Sequence, residues 1–216
     1  MDTYNIDEIK CCYNTIAEEY SREYTNELQN KPFDRYILKR FVDIVDQNGI
    51  VLDIGAGSGH IGNYAFQLGL KNIIGIDIAE KAISLAKCKY PHIDFRTMDM
   101  RNMNFDDEFI SGIICFYSIV HFTYTEIETT AKEWNRILKK DGKGLLSFFV
   151  GDDKSIRQEK WFKKNQANAT WNLFKVDSIM NILSKNHFFE EEVIIRQSYK
   201  GVEHPSKRAY ILFSKQ

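Results

Sequence analysis

At 216 residues, with 44% apolar and 27% charged side chains, the chain is long enough to bury a full core and has the composition of an ordinary globular protein. Its net charge of −1 supplies no global field to draw in nucleic acid or an anionic membrane, and neither is expected as a partner. Cys11, Cys12, Cys88 and Cys115 form no C-x-x-C pair and no zinc spacing, so the expectation is reduced thiols and no metal site.

The N-terminus, MDTYNIDEIK, is acidic and lacks an apolar core, so no signal peptide is expected. The longest apolar run, ISGIICFYSIVHF, is too short to span a bilayer, and a cytoplasmic location is expected. Ile6, Ile9, Tyr13, Ile16, Ala17 and Tyr20 recur at helical spacing. A second helical pattern, Phe33, Tyr36, Ile37, Phe41, Ile44 and Val45, starts after Pro32, with Asn48-Gly49 expected as its C-cap.

Strand and helix signals then alternate. IVLDI is a short buried strand, and Ile61 to Leu68 is helical. NIIGID is the second strand, AEKAISLAKCKY a helix stopped by Pro91, and IDFRTMD the third strand. SGIICFYSI is the fourth and most apolar strand, TYTEIETTAKEWNRILKK an amphipathic helix, and KGLLSFFV the fifth strand after a turn at Asp141-Gly142. Such alternation predicts an α/β fold: right-handed crossovers, a parallel sheet and helices on both faces. Gly151 to Thr170 breaks the rhythm with a polar, basic stretch. A helix, KVDSIMNILSKNHF, and two strands, EEEVIIRQS and KRAYILFSK, complete the chain. The short YKGVEHP link makes those two strands antiparallel neighbours at one sheet edge.

VLDIGAGSGHIG, Val51 to Gly62, can be parsed in two ways. Gly57 to Gly62 fits the G-x-G-x-x-G dinucleotide fingerprint, and Asp53 to Gly59 fits the acidic-x-G-x-G-x-G loop that holds S-adenosylmethionine (SAM). In either case the glycines permit positive φ and close ligand approach, and Asp77 ends the second strand where a carboxylate can accept from both ribose hydroxyls. Three features favour SAM over NAD. Gly55 and Asp53 precede the fingerprint; Asp99 in TMDM is placed to accept from an adenine amino group; and the antiparallel C-terminal pair is foreign to a dinucleotide half-domain.

At these residues the chain resembles the class I SAM-dependent methyltransferases, and more narrowly a group of bacterial small-molecule methyltransferases. The resemblance runs from YNTIAEEYS through VLDIGAGSGHIG, GIDIAEKAISLAK and MDMRNMNF to FYSIVHF, EWNRILKKDGKGLLSFF and GVEHPSKRAYIL. It implies a Rossmann-like, seven-stranded, mostly parallel sheet with an antiparallel C-terminal edge hairpin. It also implies SAM as cofactor, S-adenosylhomocysteine as product, and contacts at Gly55, Ala56, Gly57, Asp77, Ile78, Asp99, Met100 and Tyr117; Gly59 completes the loop. Two departures stand out: Asp53 replaces the Glu of many members, and Ile78-Ala79 lacks their Ser or Thr helix cap.

The expected organisation is one methyltransferase domain over 1–216. Residues 1–48 form a helical lid or cap, 49–150 the SAM-binding core, 151–171 a substrate-side insertion, and 172–216 the C-terminal helix and strand pair. The acceptor is expected to be a small molecule. His121, just past the fourth strand, is the candidate general base, since an imidazole suits proton removal at neutral pH. Tyr13 and Tyr20 share one helix face, and with His121 and Trp161 they are the candidate acceptor contacts. Tyr117 is placed to face the sulfonium. His60 is expected as a packing or polar contact, and His92, His187 and His204 as loop residues without metal spacing. Arg35 is a candidate for a carboxylate or a surface ion pair. Two other functions stay open: a SAM-binding regulatory protein without catalysis, and an NAD-dependent oxidoreductase.

Overall fold

The structure is a computed structural model that describes residues 5–216; the first four positions of the expected N-terminal cap lie outside the described residues. In chain order the elements are α1 (Ile6–Tyr24), α2 (Pro32–Ile44), β1 (Val51–Ile54), α3 (His60–Gln67), β2 (Ile73–Asp77), α4 (Glu80–Lys89), β3 (Asp94–Thr97) and β4 (Ile110–Phe116). There follow α5 (Tyr124–Ile137), β5 (Leu138–Val150), β6 (Ser155–Gln158), β7 (Ala169–Asn172), α6 (Val176–Lys185), β8 (Phe188–Arg196) and β9 (Lys207–Lys215).

Seven strands make one sheet in the order β3-β2-β1-β4-β5-β9-β8. β1 to β5 are parallel, β9 runs antiparallel to β5, and β8 antiparallel to β9. This is the expected Rossmann-like, mostly parallel sheet with an antiparallel edge pair. Every residue of β4 is buried, as a central parallel strand covered on both faces must be. Successive side chains therefore feed opposite cores. Ile114 and Phe116 join a cluster with Ile37 and Phe41 of α2, Ile61 of α3 and Ile83 of α4. Ile113 and Cys115 join Trp134 of α5, Ile179 of α6 and Phe213 of β9. The parallel strands end on one rim, at Ile54, Asp77, Thr97, Phe116 and Val150.

α1 belongs to neither main core. Its Cys12 and Ile16 form a separate cluster with Ala167 and Ala169, bordered by Tyr13, Tyr20, Trp161 and Phe162. It is tied to α4 by Lys10–Glu80 at 2.5 Å and Lys81–Glu18 at 2.9 Å, and to the segment between β5 and α6 by Arg157–Glu8 and by Lys164–Glu19 at 2.9 Å. Such exposed pairs add little stability individually. More specific is Asn14, whose Oδ1 accepts from the Lys81 backbone N–H at 2.9 Å. That bond supplies from another helix the N-terminal cap that Ala79 cannot provide. No helix among the described residues is long and apolar enough to cross a membrane.

The structure departs from the sequence expectation in five places. α2 stops at Ile44, because Val45 turns extended (φ −80°, ψ 153°). Gly49 serves close packing instead of capping, since a Cβ there would lie 1.9 Å from the Ser111 hydroxyl. α5 ends at Ile137, and Leu138 already pairs with Ile110 before a register shift re-forms the ladder at Gly112–Lys143, with Asp141 at φ 61°. The 151–171 segment, read as irregular, carries β6 and most of β7, an antiparallel hairpin. Finally, α6 ends at Lys185, and β8 begins at Phe188, right after a left-handed His187.

Gly144 of β5 marks a point where the core admits no side chain: a Cβ would fall 2.0 Å from Cζ of Phe213, which is 1% exposed and stacked on Trp134. Gly144→Ala is expected to destabilise the fold by about 1–3 kcal/mol, read as a lower urea midpoint with an unchanged slope.

Candidate active site

β1 delivers the chain into the glycine loop at the centre of the rim. Gly55 (φ 70°) and Gly57 (φ 53°) both take left-handed backbone that other residues resist. A Cβ on Gly55 would collide with the Ser118 hydroxyl at 2.2 Å, so this glycine lets β4's exit cross closely. Above Gly57 the nearest atom to such a Cβ is a Tyr20 ring carbon at 3.9 Å. The backbone there is left bare on its cavity side. Asp77 accepts from the Gly57 N–H at 2.8 Å through one oxygen and from the Ala79 N–H at 2.9 Å through the other. Burial raises the Asp77 pKa against its amide donors at Ala79, Gly57 and Ile78.

Asp53 lies beneath the loop, 1% exposed, and accepts from the Gly62 N–H at 2.9 Å. Burial pushes its pKa up to about 7, opposed by His60 and the Gly62 amide. His60 Nε2 lies 2.8 Å from Glu27, which also pairs with Lys31 at 2.5 Å. Burial opposes the Glu27 charge, but the His60 hydrogen bond and the nearby His60 and Lys31 hold its pKa down at about 2. Among the described residues, the buried His60 Nδ1 and Ser58 hydroxyl have no hydrogen-bond partner. On the far wall, Asp99 is gripped by Arg101 through its backbone N–H at 2.9 Å and its guanidinium at 2.7 Å. Those bonds outweigh burial and lower the Asp99 pKa.

Beyond β4 the cavity is aromatic. His121 Nδ1 lies 2.8 Å from the Thr170 carbonyl, and Nε2 lies 2.8 Å from the Tyr13 hydroxyl. A carbonyl can only accept, so the proton sits on Nδ1 and Nε2 accepts from Tyr13. Burial lowers the His121 pKa to about 4 and raises that of Tyr13, so both are neutral at pH 7. The Tyr13 ring meets Tyr20 and Trp161 edge-on, with centroids 5.6 and 5.9 Å away. Tyr117 holds a left-handed backbone (φ 54°), secured by its N–H to the Ser147 carbonyl at 3.1 Å. Tyr210 donates to Asp34 at 2.6 Å, so the Tyr117 hydroxyl, 2.6 Å from Tyr210, must donate inward to it. Its hydroxyl proton is thereby committed away from the cavity.

One cavity gathers Gly55, Ala56, Gly57, Asp77, Ile78, Asp99 and Met100 at one end and Tyr13, Tyr20, Tyr117, His121 and Trp161 towards the other. Gly59 does not line it: at φ 83° it is the N-cap of α3, packed against the Phe95 ring. Arg35 lies elsewhere, donating to the carbonyls of Leu28 and Gln29. The sequence reading gave no site role to Glu27, Lys31, Phe149, Glu203 and Arg208, and placed His204 merely in a loop. All six line the cavity. The usable signal was that an antiparallel β9 must start on the same rim where β5 ends, which brings the 197–206 link to the site.

Residues 51–142 match the methyltransferase-domain family model. A protein of Invertebrate iridescent virus 6, described only provisionally as methyltransferase 235L, is 38% identical over 118 residues, covering 51% of this chain and 44% of the viral one. The chain thus spans less than half the length of this curated relative. Among solved structures, a SAM-dependent methyltransferase from Methanosarcina mazei superposes with TM-score 0.71 at 16% identity, covering 80% of this chain and 95% of that one. The geranyl diphosphate C-methyltransferase of Streptomyces coelicolor, solved with Mg2+, geranyl diphosphate and S-adenosylhomocysteine, superposes with TM-score 0.66 at 12% identity over 84% and 77%. At such identities the two superpositions establish the fold.

Asp53 gives a pH-dependent test of the site. Its pKa, raised by burial to about 7 in the folded protein from an ordinary 3.8, means that the native state holds a proton the unfolded state has lost. Stability contributed by this group therefore falls as pH rises through that window. Asp53→Asn is expected to leave stability unchanged near pH 4 and to raise it by up to about 4 kcal/mol at pH 8, measured by urea unfolding at both pH values.

Proposed function

We propose that this chain, whose residues 51–142 belong to the methyltransferase-domain family and whose fold is that of the class I SAM-dependent methyltransferases, binds SAM and methylates a small molecule. The observation that carries the reading is the single cavity running from the glycine loop to the Tyr13–His121 pair. The bare backbone over Gly57, the buried Asp77 carboxylate and the unsatisfied His60 Nδ1 suit a polar ligand carrying ribose hydroxyls and an amino acid end. Asp77 would take the ribose, Asp99 with the Met100 backbone the adenine, and the loop with Asp53 and Glu27 the charged amino group. When bound, SAM supplies a methyl group already activated on a sulfonium.

The residues of this chain then have to orient and to exclude water. Alignment of reactants alone can supply roughly 7–11 kcal/mol in favourable cases. The Tyr117 ring, with its hydroxyl proton turned inward, offers a π-face to positive charge. α1 and the β6–β7 hairpin close the cavity from above, which suits a lid. For an acceptor that must lose a proton, Tyr13 is the hydroxyl it meets and His121 Nε2 the base behind it. With its pKa held at about 4 and its Nδ1–H fixed on the Thr170 carbonyl, His121 can take a proton only through Nε2.

Two variants separate binding from turnover. Asp77→Ala should weaken SAM binding about tenfold or more, about 1.4 kcal/mol, by calorimetry. His121→Ala should leave SAM affinity unchanged and lower S-adenosylhomocysteine formation about a hundredfold. Wild-type turnover should show no His121 limb between about pH 5.5 and 8, because the imidazole is already neutral across that range. Unaltered SAM affinity in Asp77→Ala would overturn the cofactor assignment, and full turnover in His121→Ala would remove the base.

A further inference from the structure

Resting on the SAM reading above, we infer that the acceptor is an uncharged phenol, seated against an unbroken run of aromatic rings and losing its hydroxyl proton through Tyr13. The run starts at His121 and passes through Tyr13, Trp161, Trp171 and Phe149 to Tyr117, all of which line the cavity. Successive ring centroids lie 5.4, 5.9, 5.3, 6.3 and 5.4 Å apart. The first four contacts meet at 59–81°, so ring edges and ring faces alternate along the wall. A flat aromatic guest can stack on the faces and take the edges in T-shaped contact, each worth more than the apolar area it covers. A saturated body gains the area alone.

Charge selects against an ion. Lys31, Glu203 and Arg208 line the cavity together with Glu27, and each is already met. Lys31 pairs with Glu27 at 2.5 Å, Glu203 takes Arg196 on both oxygens at 2.7 and 2.8 Å, and Glu203 Oε1 lies 3.3 Å from Arg208 Nε. A carboxylate, phosphate or ammonium entering here would give up its water with no counter-charge left to take. His121 and His204 add no charge of their own. Burial lowers the pKa of both, helped at His204 by the Arg208 guanidinium, so both are neutral at pH 7.

The proton route selects among hydroxyls. Tyr13 donates to His121 Nε2 at 2.8 Å, so its oxygen can accept from a ligand as its own proton moves on. With the His121 pKa at about 4, the pair is a weak base. An alkyl alcohol, about as weak an acid as water at about 15.7, is far beyond its reach. A phenol ionises at about 10, as tyrosine does. A neutral amine would leave the pair idle. In the step, the acceptor oxygen bonds the methyl carbon as the carbon–sulfur bond breaks, and that bond's electron pair stays on sulfur. The phenol proton passes to Tyr13, and the Tyr13 proton to His121 Nε2.

The test uses the whole chain saturated with S-adenosylhomocysteine, titrated by calorimetry with 2-naphthol, its carboxylate analogue 2-naphthoate and its saturated analogue 2-decalol. 2-Naphthol should bind about fivefold more tightly than 2-decalol and about tenfold or more above 2-naphthoate. Trp171→Leu, which stays apolar but removes one ring from the run, should shrink the preference over 2-decalol and leave S-adenosylhomocysteine affinity unchanged. Given SAM, the wild type should form S-adenosylhomocysteine from 2-naphthol and not from 2-decalol. His121→Ala should bind 2-naphthol as before yet turn it over about a hundredfold more slowly. Equal or tighter binding of either analogue, no binding of 2-naphthol, methylation of 2-decalol, or an undiminished preference in Trp171→Leu would overturn the assignment. The wild-type comparison decides alone should a variant not fold. A wild type that fails to bind S-adenosylhomocysteine yet keeps the 2-naphthol preference would refute the cofactor reading and leave this one standing.

Discussion

The site depends on one buried carboxylate. Asp77 ends β2 and accepts simultaneously from Gly57 in the loop after β1 and from Ala79 at the start of α4. It thereby locks the glycine loop against the neighbouring strand at the point where the sheet order turns back from β1 to β4. Burying a charge is costly, and the raised pKa shows that cost. The loop backbone can be held open over Gly57 only because this acid fixes it from below. The same carboxylate lines the cavity, so one group both fixes the loop and forms part of the wall.

The opposite constraint is closure. α1 shares no core with the sheet, and its apolar face is met by the β6–β7 hairpin and the aromatic cluster around Tyr13, Tyr20 and Trp161. Its other ties are surface ion pairs and the Asn14 cap on α4. A helix held this way contributes few side chains to the two main cores. His121 ties α1 to the rim. It takes the Tyr13 hydroxyl from α1 and gives its own proton to Thr170 of the hairpin, so all three elements meet at one imidazole.

Local signals made most of the sheet readable. The parallel strands are apolar runs bounded by Gly, Asp or Pro, and the helices between them carry apolar positions at helical spacing. The positions of the glycine loop and its flanking acids were readable for the same reason: Gly55, Gly57, Asp77 and Asp99 each sit at or just past the end of a recognisable strand. The β6–β7 hairpin was not, because its four-residue strands are half exposed and interleaved with polar residues. At the other end of the cavity Tyr13, Tyr20, His121 and Trp161 were legible from their positions, but the bonds that join them and the Glu203–Arg208 side were not, since those depend on contacts distant in sequence. Arg196 meets Asp34 across 162 positions, and Tyr13 meets His121 across 108. Asn14 compensates for the missing cap at Ala79 from 67 positions away, which no local motif records.

The most direct test of the central claim is calorimetric titration of the whole chain with SAM, S-adenosylhomocysteine and NAD in turn. Micromolar binding of both adenosyl compounds at one site per chain, with no heat from NAD, is the predicted result. Binding of NAD alone would contradict it, and would mean that the loop from Gly57 to Gly62 holds a dinucleotide.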